Sequence, residues 1–120
     1  MLFELESDPK DADAALRWHA AEEDVPEEVL EFAARLVHGV LDNVDRLDGL
    51  IAGASRNWRL EQMAKVDRII LRIATFEIAI SGEVPVKAAI NESIELAKTF
   101  SGDEAGRFVN GVLGKVAAAP

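Results

Sequence analysis

The sequence contains no cysteine and no long apolar run, and each absence excludes a class of protein. Without cysteine the 120-residue chain can form no disulfide, hold no thiolate-bound metal and use no thiolate in catalysis, which fits the reducing cytoplasm. Its most apolar stretch, residues 69–80, is interrupted by Arg72 and Glu77 and is shorter than the roughly 18 residues that span a bilayer. The start, MLFELES, carries two glutamates and no basic residue, unlike a signal peptide. We therefore expect a cytoplasmic protein that makes no membrane contact.

Groups that carry out catalysis or bind metals are also scarce. The two histidines, His19 and His38, belong to neither a Glu-x-x-His nor a His-Glu-x-x-His pattern, which argues against di-iron and zinc-protease sites. His38 lies in an apolar helical segment, where packing is the simpler interpretation. Gly102 and Gly106 are not followed by the Lys-Ser/Thr pair of a phosphate-binding loop. The sequence therefore predicts a protein that is not an enzyme and uses no metal or cofactor.

Charge divides this one-domain chain into two unequal halves. Residues 1–54 hold 14 acidic and 4 basic residues, a net charge of −10, whereas residues 55–120 hold 8 acidic and 9 basic residues, a net charge of +1. A strongly acidic half repels phosphate, so we expect no general affinity for nucleic acid. Any RNA contact must be local, lie in the second half and be assisted by a partner. The alternative is an acidic, solvated surface that binds no partner.

Every substantial segment has the apolar spacing of a helix, and no strand-like alternation occurs. The first predicted helix spans residues 10–22, with Asp8 as N-cap and Pro9 at its first position. The second follows Asp24 and Pro26 and has an acidic first turn, which the helix dipole favours. Its predicted apolar face comprises Val29, Leu30, Phe32, Ala33, Leu36, Val37 and Val40. A short third helix, ended by the sequence AGAS, carries Val44, Leu47, Leu50 and Ile51.

The second half begins with a helix predicted over residues 56–80, which is apolar around most of its circumference and should be central and buried. Gly82 is the candidate C-cap of this helix, and Pro85 opens the next one. The sequence SGDEAG separates that helix from the last. The predicted apolar stripe of the helix between them comprises Val86, Ile90, Ile94, Ala97 and Phe100. The sequence therefore predicts an all-α fold.

Glu77 falls on the apolar side of the predicted central helix, between the positions of Ile70 and Ile73. A carboxylate there is costly unless it is satisfied. We therefore predict that Glu77 accepts hydrogen bonds from an arginine or a neighbouring helix N-terminus. On this hypothesis Glu77→Ala lowers the melting temperature.

The sequence FVNGVL, residues 108–113, combines two opposing signals. Asn-Gly between apolar residues favours a β-hairpin turn, but the surrounding apolar residues recur at helical spacing. Asn110 and Gly111 each lie roughly 130° from the centre of the apolar stripe, on opposite flanks, so a helix is predicted. Gly111 either is simply tolerated or allows close approach of another backbone, and Asn110 either is solvated or offers an amide to a partner. The stripe comprises Ala105, Phe108, Val109, Val112, Leu113 and Val116.

Three segments of the second half closely resemble the C-terminal region of the NusB family of bacterial transcription antitermination factors. They are NWRLEQMAKVDRIILRIATFEIAI, EVPVKAAINESIELAKTF and GRFVNGVLGKV. The sequence LVHGVLDNVDRLDGLI is similar to the family's third helix and following turn, and MLFELESDP to the end of its first helix. The resemblance covers nearly the whole chain. It implies an all-α, NusB-like bundle of two small packed helical subdomains, residues 1–54 and 55–120.

The resemblance also implies a non-catalytic role. Family members bind NusE, a ribosomal protein of the small subunit, and with it the boxA RNA of ribosomal RNA leader transcripts. The assembly helps RNA polymerase to ignore termination signals. Two alternatives are an RNA-binding module of a ribosomal RNA methyltransferase, although no catalytic domain follows VAAAP, and a self-associating helical protein without RNA binding. Because some family members form homodimers, a homodimer is a further expectation.

One departure from the family concerns the start of the chain. Family members usually begin with an arginine-rich stretch that leads into the first helix and contributes to RNA binding, whereas this sequence begins where that helix is ending. Either the true start lies upstream or this is a shortened member with a truncated first helix. Without those arginines we expect weaker RNA affinity, because each phosphate contact contributes to it. We also expect exposed apolar surface at residues 29–40, which favours self-association.

The resemblance implies two sets of binding residues. The partner-binding positions are Phe3, Glu61 and Asp67, where an acid can pair with a basic ribosomal protein and Phe3 can supply an apolar anchor. The alternative for Asp67 is that it only stabilises the first turn of its helix. Phe100 can stack on an unpaired base, but it is also a candidate for core packing. The RNA-binding candidates are Arg56, Lys98, Phe100, Arg107 and Asn110.

Overall fold

In the computed structural model, residue 18 and residues 26–55 and 62–119 are described, and they contain helices and no strand. The predicted helix over residues 10–22 lies outside them apart from Trp18. The all-α prediction is confirmed. No helix in the described ranges is long and apolar enough to cross a membrane. The helices are α1 (Glu27–Asp42), α2 (Val44–Ala54), α3 (Lys65–Phe76, continued by a π-helical turn, Glu77–Ser81), α4 (Val86–Ser101) and α5 (Asp103–Ala118).

Helix α1 begins after Pro26, and its first turn carries two glutamates, as predicted. Its apolar face is buried only towards its end, where Val37 packs with Ile69 of α3. Val29 and Phe32 of the predicted apolar face are 53% and 36% exposed, in agreement with the expectation of exposed apolar surface within residues 29–40. The guanidinium of Arg35 lies 5.7 Å from the centre of the Phe32 ring, a cation–π distance. The first turns of α1 therefore leave apolar surface exposed.

Helix α2 follows a one-residue turn at Asn43, whose side-chain amide donates a hydrogen bond of 2.7 Å to the carbonyl of Gly39. Leu47 and Ile51 are fully buried, as predicted for this helix. Helix α2 ends at Ala54, in agreement with the break predicted at AGAS. Ile51 and Ala54 belong to the main core cluster, so α2 packs into the same core as the second half of the chain.

Helix α3 lies at the centre, and residues 66–78 are all buried or half-buried. Its α-helical part begins at Lys65, later than predicted, because Gln62 lies in a 3₁₀ turn and Met63 in a bend. Residues 56–61 lie outside the described range. Gly82 closes the π-helical turn in the left-handed conformation, with φ of 67°, and its N–H donates to the carbonyl of Glu77. The predicted C-cap is therefore confirmed.

The predicted stripe of α4 is wrong at both ends, because Val86 is 42% and Phe100 58% exposed. Ala97 is buried as predicted, and Ile90 and Ile94 are half-buried. The rest of the buried row consists of small residues, Ala89 and Ser93. Small side chains let neighbouring helices approach closely, and the larger apolar residues then lie at the flanks of the contact.

Helix α5 begins one residue after α4 ends, so the predicted separator is reduced to Gly102. Gly102 has φ of 96°, which favours glycine. The predicted stripe of α5 is confirmed: Val109 and Leu113 are fully buried and Phe108 is half-buried. The main core cluster comprises Ile51, Ala54, Met63, Ile70, Leu71, Ala74, Ala97, Val109, Val112, Leu113 and Val116.

Asn110 and Gly111 lie within α5 and are exposed, so the β-hairpin interpretation is rejected. A methyl group added at Gly111 would meet nothing within 4 Å. Gly111 therefore does not serve close packing within the described structure. Gly111→Ala is expected to raise the free energy of unfolding by about 0.5–1 kcal/mol, because alanine is the better helix former. Chemical denaturation measures this, and a decrease in stability would show that Gly111 has a packing role.

Glu77 begins the π-helical turn and is half-buried. The predicted hydrogen bonds to its carboxylate do not occur among the described residues. Instead, partial burial and then the nearby Glu92 carboxylate raise the pKa of Glu77 above its ordinary value of 4.5. A raised pKa means that the folded state holds the proton more tightly than the unfolded state does. The stability from this group is therefore complete below pH 4.5 and is lost as the pH rises through the raised pKa.

Glu77→Gln is therefore expected to raise the melting temperature at pH 7, because glutamine carries no charge to desolvate or to be repelled by Glu92. Melting curves from pH 4 to pH 8 should show a flatter dependence for the variant than for the wild type. Glu31→Gln, at an exposed acid of α1, is the control and should change little. A lower melting temperature for Glu77→Gln at pH 7 would support the original hypothesis of a hydrogen-bonded carboxylate.

Candidate functional site

The hairpin of α4 and α5 carries four of the predicted RNA-binding residues. Lys98 and Phe100 lie in the last turns of α4, and Arg107 and Asn110 lie one turn apart on one face of α5. All four are exposed. The fifth candidate, Arg56, lies outside the described residues.

The exposure of Phe100 decides between its two interpretations. With 58% of its surface accessible, Phe100 is not a core residue, and its ring is free to stack on a planar group. Asn110 makes no side-chain hydrogen bond within the described residues, so it does not cap a neighbouring helix there. The ring of Phe100 and the side-chain amide of Asn110 are therefore exposed and available to contact a ligand.

Charges around the hairpin are mixed. The ammonium of Lys98 lies 3.8 Å from a carboxylate oxygen of Glu95, one turn earlier on α4. The first turn of α5 carries Asp103 and Glu104, close in sequence to Arg107. This is not a strongly basic patch, and simple attraction of phosphate is correspondingly weak. The arrangement suits a few defined contacts better than non-specific binding.

A cleft of about 460 Å³ lies beside the hairpin, and Asp67 is at its edge. Asp67 stands in the first turn of α3. One of its carboxylate oxygens accepts a hydrogen bond of 2.9 Å from the hydroxyl of Ser101, at the end of α4. The cleft is lined by Gln62, Met63, Ala64, Asp67, Ser101, Glu104, Ala105 and Phe108.

The cleft combines acidic and apolar groups. Asp67 and Glu104 supply carboxylates, while Met63, Ala105 and Phe108 supply apolar surface. Such a site can receive a basic segment that also carries an apolar side chain. The other two predicted partner-binding residues, Phe3 and Glu61, lie outside the described range.

Glu104 and Ser101 were missed as site residues in the sequence. They lie 37 and 34 positions from Asp67, and only the packing of α3 against the hairpin places all three at one cleft. No local pattern could have joined them. Within the described residues, no group of three or more metal-binding side chains occurs.

Comparison with known proteins places this structure in a family. The NusB family matches residues 1–118. A relative from Desulforudis audaxviator, named transcription antitermination protein NusB, is 51% identical over 89 residues, covering 74% of this chain and 64% of the relative. A relative of the same name from Symbiobacterium thermophilum is 45% identical, covering 96% of this chain and 80% of the relative. The chain thus spans slightly less than two thirds of the first of these relatives.

Solved structures agree with the sequence comparison. T. maritima NusB superposes with a TM-score of 0.74 at 27% identity, covering 98% of this chain and 91% of that one. A structure described as antitermination factors NusB and NusE in complex with dsRNA matches with a TM-score of 0.76 at 22% identity, covering 84% of this chain and 75% of that chain. The second likeness shows the fold alone.

The relatives' names describe a transcription factor and no catalysed reaction, in agreement with the prediction of a non-enzymatic protein. The chain therefore belongs to the NusB family.

Proposed function

We propose that this chain is a cytoplasmic transcription antitermination factor that binds NusE and, jointly with it, boxA RNA of ribosomal RNA leader transcripts. The observation that carries the proposal is the family match over residues 1–118. The relatives bear the name transcription antitermination protein, and a structural neighbour is a complex of NusB, NusE and RNA. In this proposal the pair joins the antitermination complex on RNA polymerase.

The proposed RNA surface is the α4–α5 hairpin. Lys98 and Arg107 contact phosphates, Phe100 stacks on an unpaired base, and Asn110 supplies an amide to a base edge or the backbone. Arg56, which lies outside the described residues, is the fifth proposed contact. Because acidic residues surround these two cations, the chain alone should bind RNA weakly. We therefore expect NusE to contribute much of the affinity of the pair for RNA.

The proposed NusE surface includes the cleft at Asp67. Ribosomal proteins are generally basic, so a cationic side chain of NusE can pair with Asp67 at the cleft edge while an apolar side chain contacts Phe108. Phe3 and Glu61 are proposed to extend this surface. Because Asp67 also stabilises the first turn of α3, its substitution must be tested for both effects. Asp67→Lys is expected to abolish detectable NusE binding through charge reversal, and the melting temperature shows whether folding is affected as well.

The central experiment is a titration of labelled boxA RNA at low salt with this chain, with NusE and with both. Tighter binding by the pair than by either protein is expected. Lys98→Met, Phe100→Leu, Arg107→Gln and Asn110→Ala should each weaken binding by the pair. Lys87→Met, at an exposed lysine near the start of the same helix α4, is the matched control and should have no effect.

If adding this chain to NusE leaves RNA affinity unchanged, the proposal is wrong. Light scattering on the same samples tests the expected homodimer, which would cover exposed apolar residues such as Val29 and Phe32. A dimer that dissociates when NusE and RNA are added would indicate that self-association competes with function. A chain that stays monomeric at high micromolar concentration would exclude the homodimer.

A further inference from the structure

Gly106 is a buried glycine in the first turns of α5, where this helix packs against α4. A methyl group added to it would lie 2.8 Å from Cγ and 3.3 Å from Cε of Lys98. Two carbons of the Lys98 side chain therefore lie directly over the glycine. The next neighbour, Cγ2 of Ile94, would be at 3.5 Å, an ordinary van der Waals distance.

This contact restrains a side chain that would otherwise be mobile. A lysine in solvent samples many rotamers. Here the aliphatic stem of Lys98 crosses the backbone of α5, and its side chain is only 45% exposed. Its ammonium remains at the surface, 3.8 Å from Glu95. The residue after Gly106 is Arg107, the second cation of the hairpin.

We propose that Gly106 is a positioning residue, whose lack of a side chain holds the Lys98 ammonium where it meets an RNA phosphate. This inference rests on the proposed RNA-binding function and adds a specific residue to it. Gly106 touches no RNA itself. It acts by leaving space on α5 that the stem of Lys98 occupies.

If Gly106 served only the packing of α4 against α5, Gly106→Ala would have a different effect. The atoms that a new methyl group would meet most closely belong to the Lys98 side chain and not to backbone, and Cγ can give way only by a change of the Lys98 χ1 rotamer. Gly106→Ala should therefore displace Lys98 and leave the helices in place. Alanine is also the better helix former, so the melting temperature should stay the same or rise slightly.

The test is a titration of boxA RNA with the wild-type chain, Gly106→Ala, Lys98→Met and the double variant, each with NusE, at several salt concentrations. Gly106→Ala should weaken binding on the order of threefold, as loss of one partly screened contact does. The slope of log affinity against log salt should become shallower by about 0.7, the value for one phosphate contact on a single strand. In the Lys98→Met background, Gly106→Ala should have no further effect. Gly114→Ala, at an exposed glycine of the same helix with open space around it, is the matched control and should bind like the wild type.

The outcomes separate the two proposals. If the wild type and NusE together show no enhanced RNA binding, the proposed function fails, and the role of Gly106 fails with it. If the wild type binds RNA but Gly106→Ala keeps its affinity and salt slope, only the positioning role is wrong. The positioning role is also wrong if Gly106→Ala lowers RNA affinity as much in the Lys98→Met background as it does alone. Such a loss would not depend on Lys98. An NMR contact between the Lys98 side chain and the Gly106 Hα protons is expected in the wild type, and its absence would contradict the geometry independently of RNA.

Discussion

Arg72→Ala is expected to lower the free energy of unfolding by about 3 kcal/mol, the largest effect among the substitutions considered. The Arg72 guanidinium donates two hydrogen bonds to the Asp48 carboxylate, of 2.7 Å from Nε and 2.8 Å from Nη2. The side chains of Arg72 and Asp48 are only 12% and 26% exposed. Removing the arginine leaves a largely desolvated carboxylate without this partner and also removes packing between α2 and α3.

A double-mutant cycle measures the coupling between the two residues. Urea denaturation of Arg72→Ala, Asp48→Ala and the double variant should give an interaction energy of about 1.5–3 kcal/mol. The surface pair of Arg35 and Glu83 is the control, because its 3.7 Å contact joins side chains that are 59% and 50% exposed. Arg35→Ala should cost less than about 1 kcal/mol. If Arg72→Ala also lowers the free energy of unfolding by less than about 1 kcal/mol, the pair of Arg72 and Asp48 does not stabilise the contact between α2 and α3.

Gly39→Ala is expected to lower the free energy of unfolding by about 2 kcal/mol, or roughly 10 °C in melting temperature. A methyl group at Gly39 would overlap three carbons of the Phe76 ring, Cζ, Cε1 and Cε2. The ring of the half-buried Phe76 must therefore rotate, or α1 must move away from α3. The better helix propensity of alanine, about 1 kcal/mol, offsets only part of this cost.

Gly49→Ala is the matched control for Gly39. Gly49 lies within α2 and a methyl group there would meet nothing within 4 Å. Differential scanning calorimetry should show an unchanged or higher melting temperature for Gly49→Ala and a clearly lower one for Gly39→Ala. Equal behaviour of the two variants would mean that α1 does not approach Phe76 as closely as described.

The sequence predicted the succession of helices from α1 to α5 because apolar spacing, proline and glycine mark helices and their ends locally. It failed at the two ends of the α4 stripe, where Val86 and Phe100 are exposed. An apolar stripe is recognised by its large members, whereas α4 buries mainly the small Ala89, Ser93 and Ala97 and leaves Phe100 in solvent. The π-helical turn after Phe76 was also not predicted, because a single wider turn does not produce a recognisable spacing of apolar residues.

The candidate site was predictable only in part. Resemblance to a family suggested Asp67, Lys98 and Arg107 individually as candidates, but their surroundings depend on tertiary packing. The hydrogen bond from Ser101 to Asp67 joins residues 34 positions apart. The stem of Lys98 over Gly106 depends on how closely α4 and α5 pack. Neither distance can be derived from local sequence.

Gly102 has a consequence for the thermodynamics of recognition. It is the only residue between α4 and α5, and its φ of 96° and ψ of 176° lie in a region that other residues rarely adopt. A one-residue junction between two packed helices leaves little freedom for them to move relative to each other. The backbone positions that carry side chains on either side, such as Phe100 and Arg107, are therefore held relative to each other before any ligand arrives. A ligand that spans the hairpin meets a preorganised surface, so little of its binding free energy is lost to ordering the backbone.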